Sequence, residues 1–245
     1  MIFRPSPNFD VRVLPVSMVV LHYTGMPDVA SALDRLTDPV AKVSAHYVVA
    51  EDGVVVALVD EAKRAWHAGK SWWRGVTDVN SASVGIEIVN PGHEFGYRPF
   101  PEPQMAAVEA LVGGIVARYR VAPGNVVGHS DIAPVRKDDP GELFDWPRLA
   151  RAGLADRIPT TVDAALPDPQ WTDAGFLAAL ARYGYDVADP VAATIAFQRH
   201  FRPGDIGGRI DPETRGVLLA LLRPCCGSPS CRMRGRRRST GSSGR

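Results

Sequence analysis

The first 224 residues contain no cysteine, since Cys225, Cys226 and Cys231 all fall after them. That absence excludes a disulfide framework and a cysteine-rich metal site from the body of the chain. Acid is missing from the end of the chain, where residues 223–245 hold seven arginines and no aspartate or glutamate. Subtracting those seven from the overall charge of +1 leaves −6 for residues 1–222, so the folded part is mildly acidic. A nucleic-acid-binding fold needs its basic groups on the folded surface, and the only basic concentration here is the tail. Long apolar runs are also missing, and none approaches a membrane span. At the start, MIFRPSPNFDVRVLPVSMVV places prolines and charges where an export signal needs an unbroken apolar segment. The expectation is a chain without such a signal, hence cytoplasmic, with the cell envelope as the alternative.

What is present suits a packed core: 45% of residues are hydrophobic and 22% charged, and 245 residues are enough for one good-sized domain and a small one. VSMVVLHYT (16–24), SVGIEIVN (83–90) and NVVGH (125–129) read as short buried strands. AHYVVAEDGVVVALVD (45–60) reads as a hairpin turning at Glu51, Asp52 and Gly53. Apolar residues at helical spacing occupy 27–38 and 101–120. Strands interleaved with helices predict an α/β (α+β) layered domain over residues 1–155. Residues 156–170, with three prolines and no sustained period, read as a linker. Residues 171–222 read as three short helices with the glycine-rich loop RPGDIGGRI before the third, a small C-terminal domain. Residues 223–245 are too poor in apolar surface to fold and are read as a disordered Arg/Ser/Gly-rich tail.

Six histidines punctuate the chain. His22 ends one strand and His129 another, with Asp139 ten residues further on. Two imidazoles and a carboxylate make a reasonable zinc set with a fourth position left for water, although strand-end histidines also occur as satisfied polar core residues. Glu87 sits inside an otherwise apolar strand, where an unpartnered carboxylate is costly and marks a functional site or a salt bridge. Lys137, two residues before Asp139, could face the same cleft and stabilise an oxyanion. His46, Trp66, His67 and Asn90 are candidate substrate contacts, with Trp72 and Trp73 nearby as core or sugar-facing surfaces. His93 and His200 are assigned to no site.

LHYT, SAHYVV, AWHAG, SVGIEIVN and GHSDIAPVRKDDPG occur in this order. Together they resemble the zinc-dependent N-acetylmuramoyl-L-alanine amidases of type 2, the branch containing AmpD and AmiD, over about residues 5–150. The resemblance implies the fold of the peptidoglycan recognition proteins and phage amidases, a central mixed β-sheet flanked by helices, with residues 1–155 as the catalytic domain. It also implies Zn²⁺ held by His22, His129 and Asp139, Glu87 as general base, and Lys137 as oxyanion partner. The related phage lysozyme-amidase has a cysteine as third ligand and a tyrosine just before the histidine matching His46. Asp139 and Ala45 stand in those places here and set the chain with the AmpD and AmiD branch. The segment AFQRHFRPGDIGGRIDPETRGVLLALL resembles the three-helix peptidoglycan-binding domain appended to cell-wall hydrolases. The implied partner is peptidoglycan or an (anhydro-)muropeptide, and the implied reaction is hydrolysis of the bond between N-acetylmuramic acid and L-alanine. The competing reading is a muropeptide-binding module without turnover.

Overall fold

The structure, a computed structural model, describes residues 1–159 and 168–223. Part of the expected linker and nearly all of the expected tail lie outside the described residues. The chain runs β1 (Ile2–Phe3), β2 (Phe9–Val11), β3 (Met18–Tyr23), α1 (Val29–Thr37), β4 (Tyr47–Val49), β5 (Val55–Ala57), β6 (Lys63–Ala65) and α2 (Val79–Ala82). It continues through β7 (Ser83–Ile88), α3 (Gly92–Phe95), α4 (Glu102–Tyr119), β8 (Val126–Gly128), α5 (His129–Ile132) and α6 (Trp146–Arg151). Helices α7 (Asp173–Tyr183), α8 (Pro190–Phe201) and α9 (Pro212–Leu222) follow.

Six strands form one mixed sheet in the order β1-β5-β4-β7-β3-β8, and β2 pairs with β6 in a separate antiparallel ribbon. Within the large sheet only β4 and β5 are antiparallel, the hairpin expected over 45–60. Its turn needs glycine: Gly53 sits at φ +84°, and a Cβ there would lie 2.7 Å from the Pro103 carbonyl oxygen. Strand β3 is flanked by β7 and the edge strand β8, and Met18–Leu21 are essentially inaccessible to solvent on both faces. Two covered faces explain why VSMVVL reads as a continuous apolar run instead of an alternating one.

Alternation along the strands sorts the side chains into two layers. Val19, Leu21, Val84, Ile86 and Ile88 point to one face, where they meet Met105, Val108, Val112 and Ile115 of α4. Met18, Val20 and Val127 point to the other, and there they share an apolar cluster with Phe176, Leu180, Phe197 and Leu218 of α7–α9. The C-terminal helices, expected as a small unit of their own, therefore complete the core on the second face of the sheet. Each begins with a side-chain cap, from Thr172, Asp189 and Asp211. Among the described residues no helix is long and apolar enough to cross a membrane.

His46 lies wholly inside this frame. Its Nδ1 accepts the Gly85 N–H at 2.9 Å and its Nε2 faces the Lys63 carbonyl at 3.1 Å, so it stitches β7 to the β6 region. Burial pulls its pKa down to about 4. Between pH 6.5 and 4 the unfolded chain therefore binds a proton that the folded chain refuses, and stability is lost as the pH falls through that window. Replacing His46 with Asn removes this dependence. The stability difference between wild type and His46→Asn, measured by urea unfolding, is expected to shrink by roughly 3 kcal/mol from pH 7 to pH 4.

Candidate active site

The same alternation that builds the core leaves Ser83, Gly85 and Glu87 of β7 on the face opposite α4, beside His22 of β3. His22 and Glu87 are direct register partners across the two strands. His129 begins α5 immediately after β8, and the chain returns to it because the Ser130 N–H donates to the Asp139 carbonyl at 2.9 Å. Gly128 lets that return pack closely, since a Cβ there would fall 2.7 Å from Pro140 Cδ. Three elements distant in sequence thus deliver His22, His129 and Asp139 to one point, all buried.

The three ligand atoms form a small triangle. His22 Nδ1 lies 2.9 Å from His129 Nδ1 and 3.0 Å from Asp139 Oδ2, and His129 Nδ1 lies 3.1 Å from Asp139 Oδ2. The hydrogen bonds behind the triangle assign its protons. Ser83 donates its hydroxyl to the Val79 carbonyl at 2.6 Å, so its oxygen accepts from His67 Nε2 at 3.2 Å. His67 Nδ1 is then bare and accepts from His22 Nε2 at 3.0 Å. His129 Nε2 faces the Ala68 carbonyl at 3.1 Å, an acceptor only, and so carries that ring's proton. Both Nδ1 atoms consequently present lone pairs. Burial pushes the His22 pKa down to about 4, with the nearby His129 adding to the fall. Burial opposes ionisation of Asp139, and His129 and His22 hold its carboxyl below the usual carboxylate range only when positive charge lies between them and it, on a ring proton or on a cation in its place.

Three buried lone pairs about 3 Å apart repel one another unless a cation lies among them. The edge of a tetrahedron around zinc with ligands at about 2.0–2.1 Å is roughly 3.3 Å, so the triangle fits such an ion. These side chains form a group that could hold a metal.

Glu87 lines the same cleft, a space of about 310 Å³ that also touches Arg35, Ser44, Trp66, Arg136 and Lys137. Its Oε2 is buried and has no hydrogen-bond partner among the described residues. Burial, then the charge of Asp139, raises its pKa well above the ordinary carboxylate value, and Lys137 works against the rise. Trp66 lines the cleft with its indole N–H donated to Asp10 at 2.7 Å.

Two expected substrate contacts are placed elsewhere. His46 faces the protein interior, with both ring nitrogens engaged as described above. Asn90 is also buried away from the cleft, where it donates to the Arg98 carbonyl at 2.7 Å and accepts from the Gly92 N–H at 3.1 Å. His67 does reach the cleft, but its ring nitrogens are occupied by His22 and Ser83. Arg136 and the Ser83–Gly85 pair escaped the sequence reading. The signal for the pair was a small-residue alternation, Ser-x-Gly-x-Glu, on one face of a strand that is apolar on the other.

The sequence profile of the N-acetylmuramoyl-L-alanine amidase family matches residues 12–142. The chain belongs to this family. The N-acetylmuramoyl-L-alanine amidase AmiD of Escherichia coli (strain K12) is 40% identical over 230 residues, covering 84% of this chain and 82% of the relative. Its solved complex with the substrate anhydro-N-acetylmuramic acid-L-Ala-D-gamma-Glu-L-Lys superposes with a TM-score of 0.76 over 86% of this chain and 90% of that one. AmpDh3 from Pseudomonas aeruginosa, solved in complex with anhydromuramic pentapeptide, is 34% identical, with a TM-score of 0.74 over 89% and 94% of the two chains. The 1,6-anhydro-N-acetylmuramyl-L-alanine amidase AmpD of Haemophilus influenzae is 32% identical over 163 residues, which cover 58% of this chain but 86% of the relative. The family therefore includes a shorter form whose length leaves no room for α7–α9 and longer forms that match along them.

Gly85 leaves no room for a side chain. A Cβ there would lie 2.4–2.6 Å from three atoms of the His67 ring. Gly85→Ala is expected to push His67 off His22 and weaken metal binding about 10–100-fold, read by competition with a chromophoric chelator.

Proposed function

We propose that this protein is a zinc-dependent amidase that hydrolyses the bond between the lactyl carbonyl of N-acetylmuramic acid and L-alanine in muropeptides released during cell-wall turnover. The observation that carries the reading is the convergence of three bare, buried lone pairs beside an unpartnered carboxyl oxygen in one cleft. The substrates named with AmiD and AmpDh3 supply the substrate class, an anhydromuramic acid bearing a short peptide.

His22, His129 and Asp139 would hold the zinc. When bound, the ion supplies Lewis acidity, easing loss of a proton from water near neutral pH and polarising a carbonyl. The residues of the chain do the rest. Glu87, whose proton affinity is raised by burial and by the nearby charge of Asp139, takes a proton from the attacking water and returns one to the departing amino group of L-alanine. Lys137 lines the cleft close enough for its charge to act on both His22 and Glu87, and it balances the negative charge developing on the carbonyl oxygen. His67 fixes the His22 ring so that Nδ1, not Nε2, faces the ion. The C-terminal helices, read as a peptidoglycan-binding unit, add a second hold on the polymer and raise the effective substrate concentration.

Incubation with a defined anhydromuramyl peptide, followed by mass spectrometry, is expected to show free stem peptide and free amino sugar, abolished by chelation and restored by zinc. Glu87→Gln is expected to keep its zinc, measured by elemental analysis, while kcat falls about 10²–10⁴-fold. Lys137→Ala is expected to lower kcat by about 10²–10³-fold. Tight binding of the intact peptide without cleavage by the zinc-loaded wild type would instead identify a recognition protein.

A further inference from the structure

The buried carboxylate of Asp131 takes no direct part in the site, yet it lies two residues after His129 and is fully enclosed. Three donors converge on it. The Gly128 N–H donates to Oδ2 at 2.7 Å, the Tyr185 hydroxyl to Oδ1 at 2.6 Å, and His200 Nδ1 to Oδ2 at 2.7 Å. Gly128 closes the turn locally, whereas the other two donors come from the C-terminal unit: Tyr185 follows α7 and His200 lies on α8.

His200 is itself held in place. Its ring stacks on Trp146 at a centroid distance of 3.7 Å with 17° between planes, and on Phe201 at 4.0 Å with 4°. Its neighbour Arg199, also buried, reaches the other end of the same loop, with Nη2 at 2.9 Å from Asp138 Oδ1 and Nε at 3.5 Å from Glu142 Oε2. Asp138 immediately precedes Asp139. Two adjacent residues of one helix therefore grip the loop near both of its metal ligands, one through Asp131 and one through Asp138.

The loop is also tied down by Arg136, which donates to the Lys70 carbonyl at 3.0 Å, by the Trp72 N–H on the Ile132 carbonyl at 2.8 Å and by the Tyr97 hydroxyl on the Pro140 carbonyl at 2.7 Å. None of these reaches the carboxylates of Asp131 and Asp138. Val135 is 71% exposed, and the backbone bond from Ser130 to Asp139 is the direct tie between its ends noted above. A fully enclosed carboxyl group is stabilised by donors fixed in space, so the three donors to Asp131 help set where the α5 turn sits. Arg199 does the same for the Asp138–Asp139 segment through a short ion pair. Ligand atoms that must stay within about 3 Å of one another are sensitive to displacements of a fraction of an ångström in that turn.

We propose that the C-terminal helical unit is a positioning element of the active site: Tyr185 and His200 fix Asp131, and Arg199 fixes Asp138, so that His129 and Asp139 stay converged. Tyr185, His200, Asp131 and Arg199 lie outside the lining of the cleft and act as positioning residues, while Asp138 stands at its edge. The proposal rests on the reading of His22, His129 and Asp139 as a zinc site. It adds that the longer members of the family use the appended helices inside the catalytic apparatus as well as for any hold on polymer.

The test uses the full-length protein and reads the metal site directly. Zinc affinity is measured by chelator competition, and the cobalt-substituted protein gives a visible spectrum that reports ligand geometry. Tyr185→Phe keeps the ring in the core and removes one donor. His200→Leu removes the second, and His200→Asn restores a donor at the place of Nδ1. Asp138→Asn breaks the outer pair from its exposed partner and perturbs the fold least. Tyr185→Phe and His200→Leu are each expected to raise the zinc dissociation constant at least tenfold, to shift the cobalt spectrum, and to lower kcat more than they change KM. His200→Asn is expected to return the affinity to within about threefold of wild type, and Asp138→Asn to weaken zinc several-fold. Loss of thermal stability in Tyr185→Phe or His200→Leu with unchanged zinc affinity and cobalt spectrum would overturn the proposal and leave these residues as ordinary core. If His200→Leu does not fold, unaltered zinc binding in Asp138→Asn and Tyr185→Phe overturns it equally. Failure of the wild type to bind zinc would sink the underlying site reading instead, an outcome visible before any variant is made.

Discussion

Mutual repulsion among three buried lone pairs is the constraint on which the site depends. His22 Nδ1, His129 Nδ1 and Asp139 Oδ2 are held about 3 Å apart with no proton among them. They stay bare only because the proton of each imidazole is committed elsewhere. The commitment of His22 runs through His67 and Ser83 to a backbone carbonyl of α2, and that of His129 ends on the Ala68 carbonyl. Acceptors that cannot donate back, two of them main-chain oxygens, fix the tautomers more firmly than flexible side chains could. The desolvated surroundings then keep His22 from protonating until the pH falls to about 4, which preserves the ligand set across the neutral range.

The sheet is arranged to serve that relay. One face of β7 is built from Val84, Ile86 and Ile88 and belongs to the core under α4. The other presents a hydroxyl, an open space and a carboxyl in successive inward positions: Ser83 receives the His67 proton, Gly85 makes room for the His67 ring, and Glu87 faces the cleft. His46 secures the same strand from behind by accepting the Gly85 N–H. One strand thus supplies packing, positioning and chemistry, divided by the two-residue period of its side chains.

The second face of the sheet is covered by helices that lie beyond the match to the AmpD-type relative. Met18, Val20 and Val127 would be uncovered without Phe176, Leu180, Phe197 and Leu218. The polar contacts follow the apolar ones. Trp73 packs against Tyr183 and Tyr185, Arg74 donates to the Tyr183 carbonyl at 2.8 Å, and Tyr183 donates to Asp156 at 2.7 Å. Covering the sheet brings α8 against the metal-ligand loop, so a helix added for burial also lies where it can steady the site.

Much of this was legible in the residues. The strands and helices of the mixed sheet, the hairpin turning at Gly53, and the ligand candidates His22, His129 and Asp139 with Glu87 beside them follow from periodicity, turn chemistry and the order of five motifs. The elements and the turn are local, and local sequence encodes them; the ligand candidates lie up to 117 positions apart and are grouped by the resemblance that the motifs carry. The side chains of His46 and Asn90 resisted the same reading, because whether a polar residue within a motif faces a cleft or the interior depends on strands that meet only in the folded chain. His200 looked like an unremarkable helical histidine until α8 placed it 2.7 Å from a buried aspartate 69 residues earlier in the chain. Tautomers, the need for Gly85 and the bracing of the ligand loop are tertiary decisions. Hydrogen bonds and close contacts between elements remote in sequence set them, and no period or motif records which remote groups will meet.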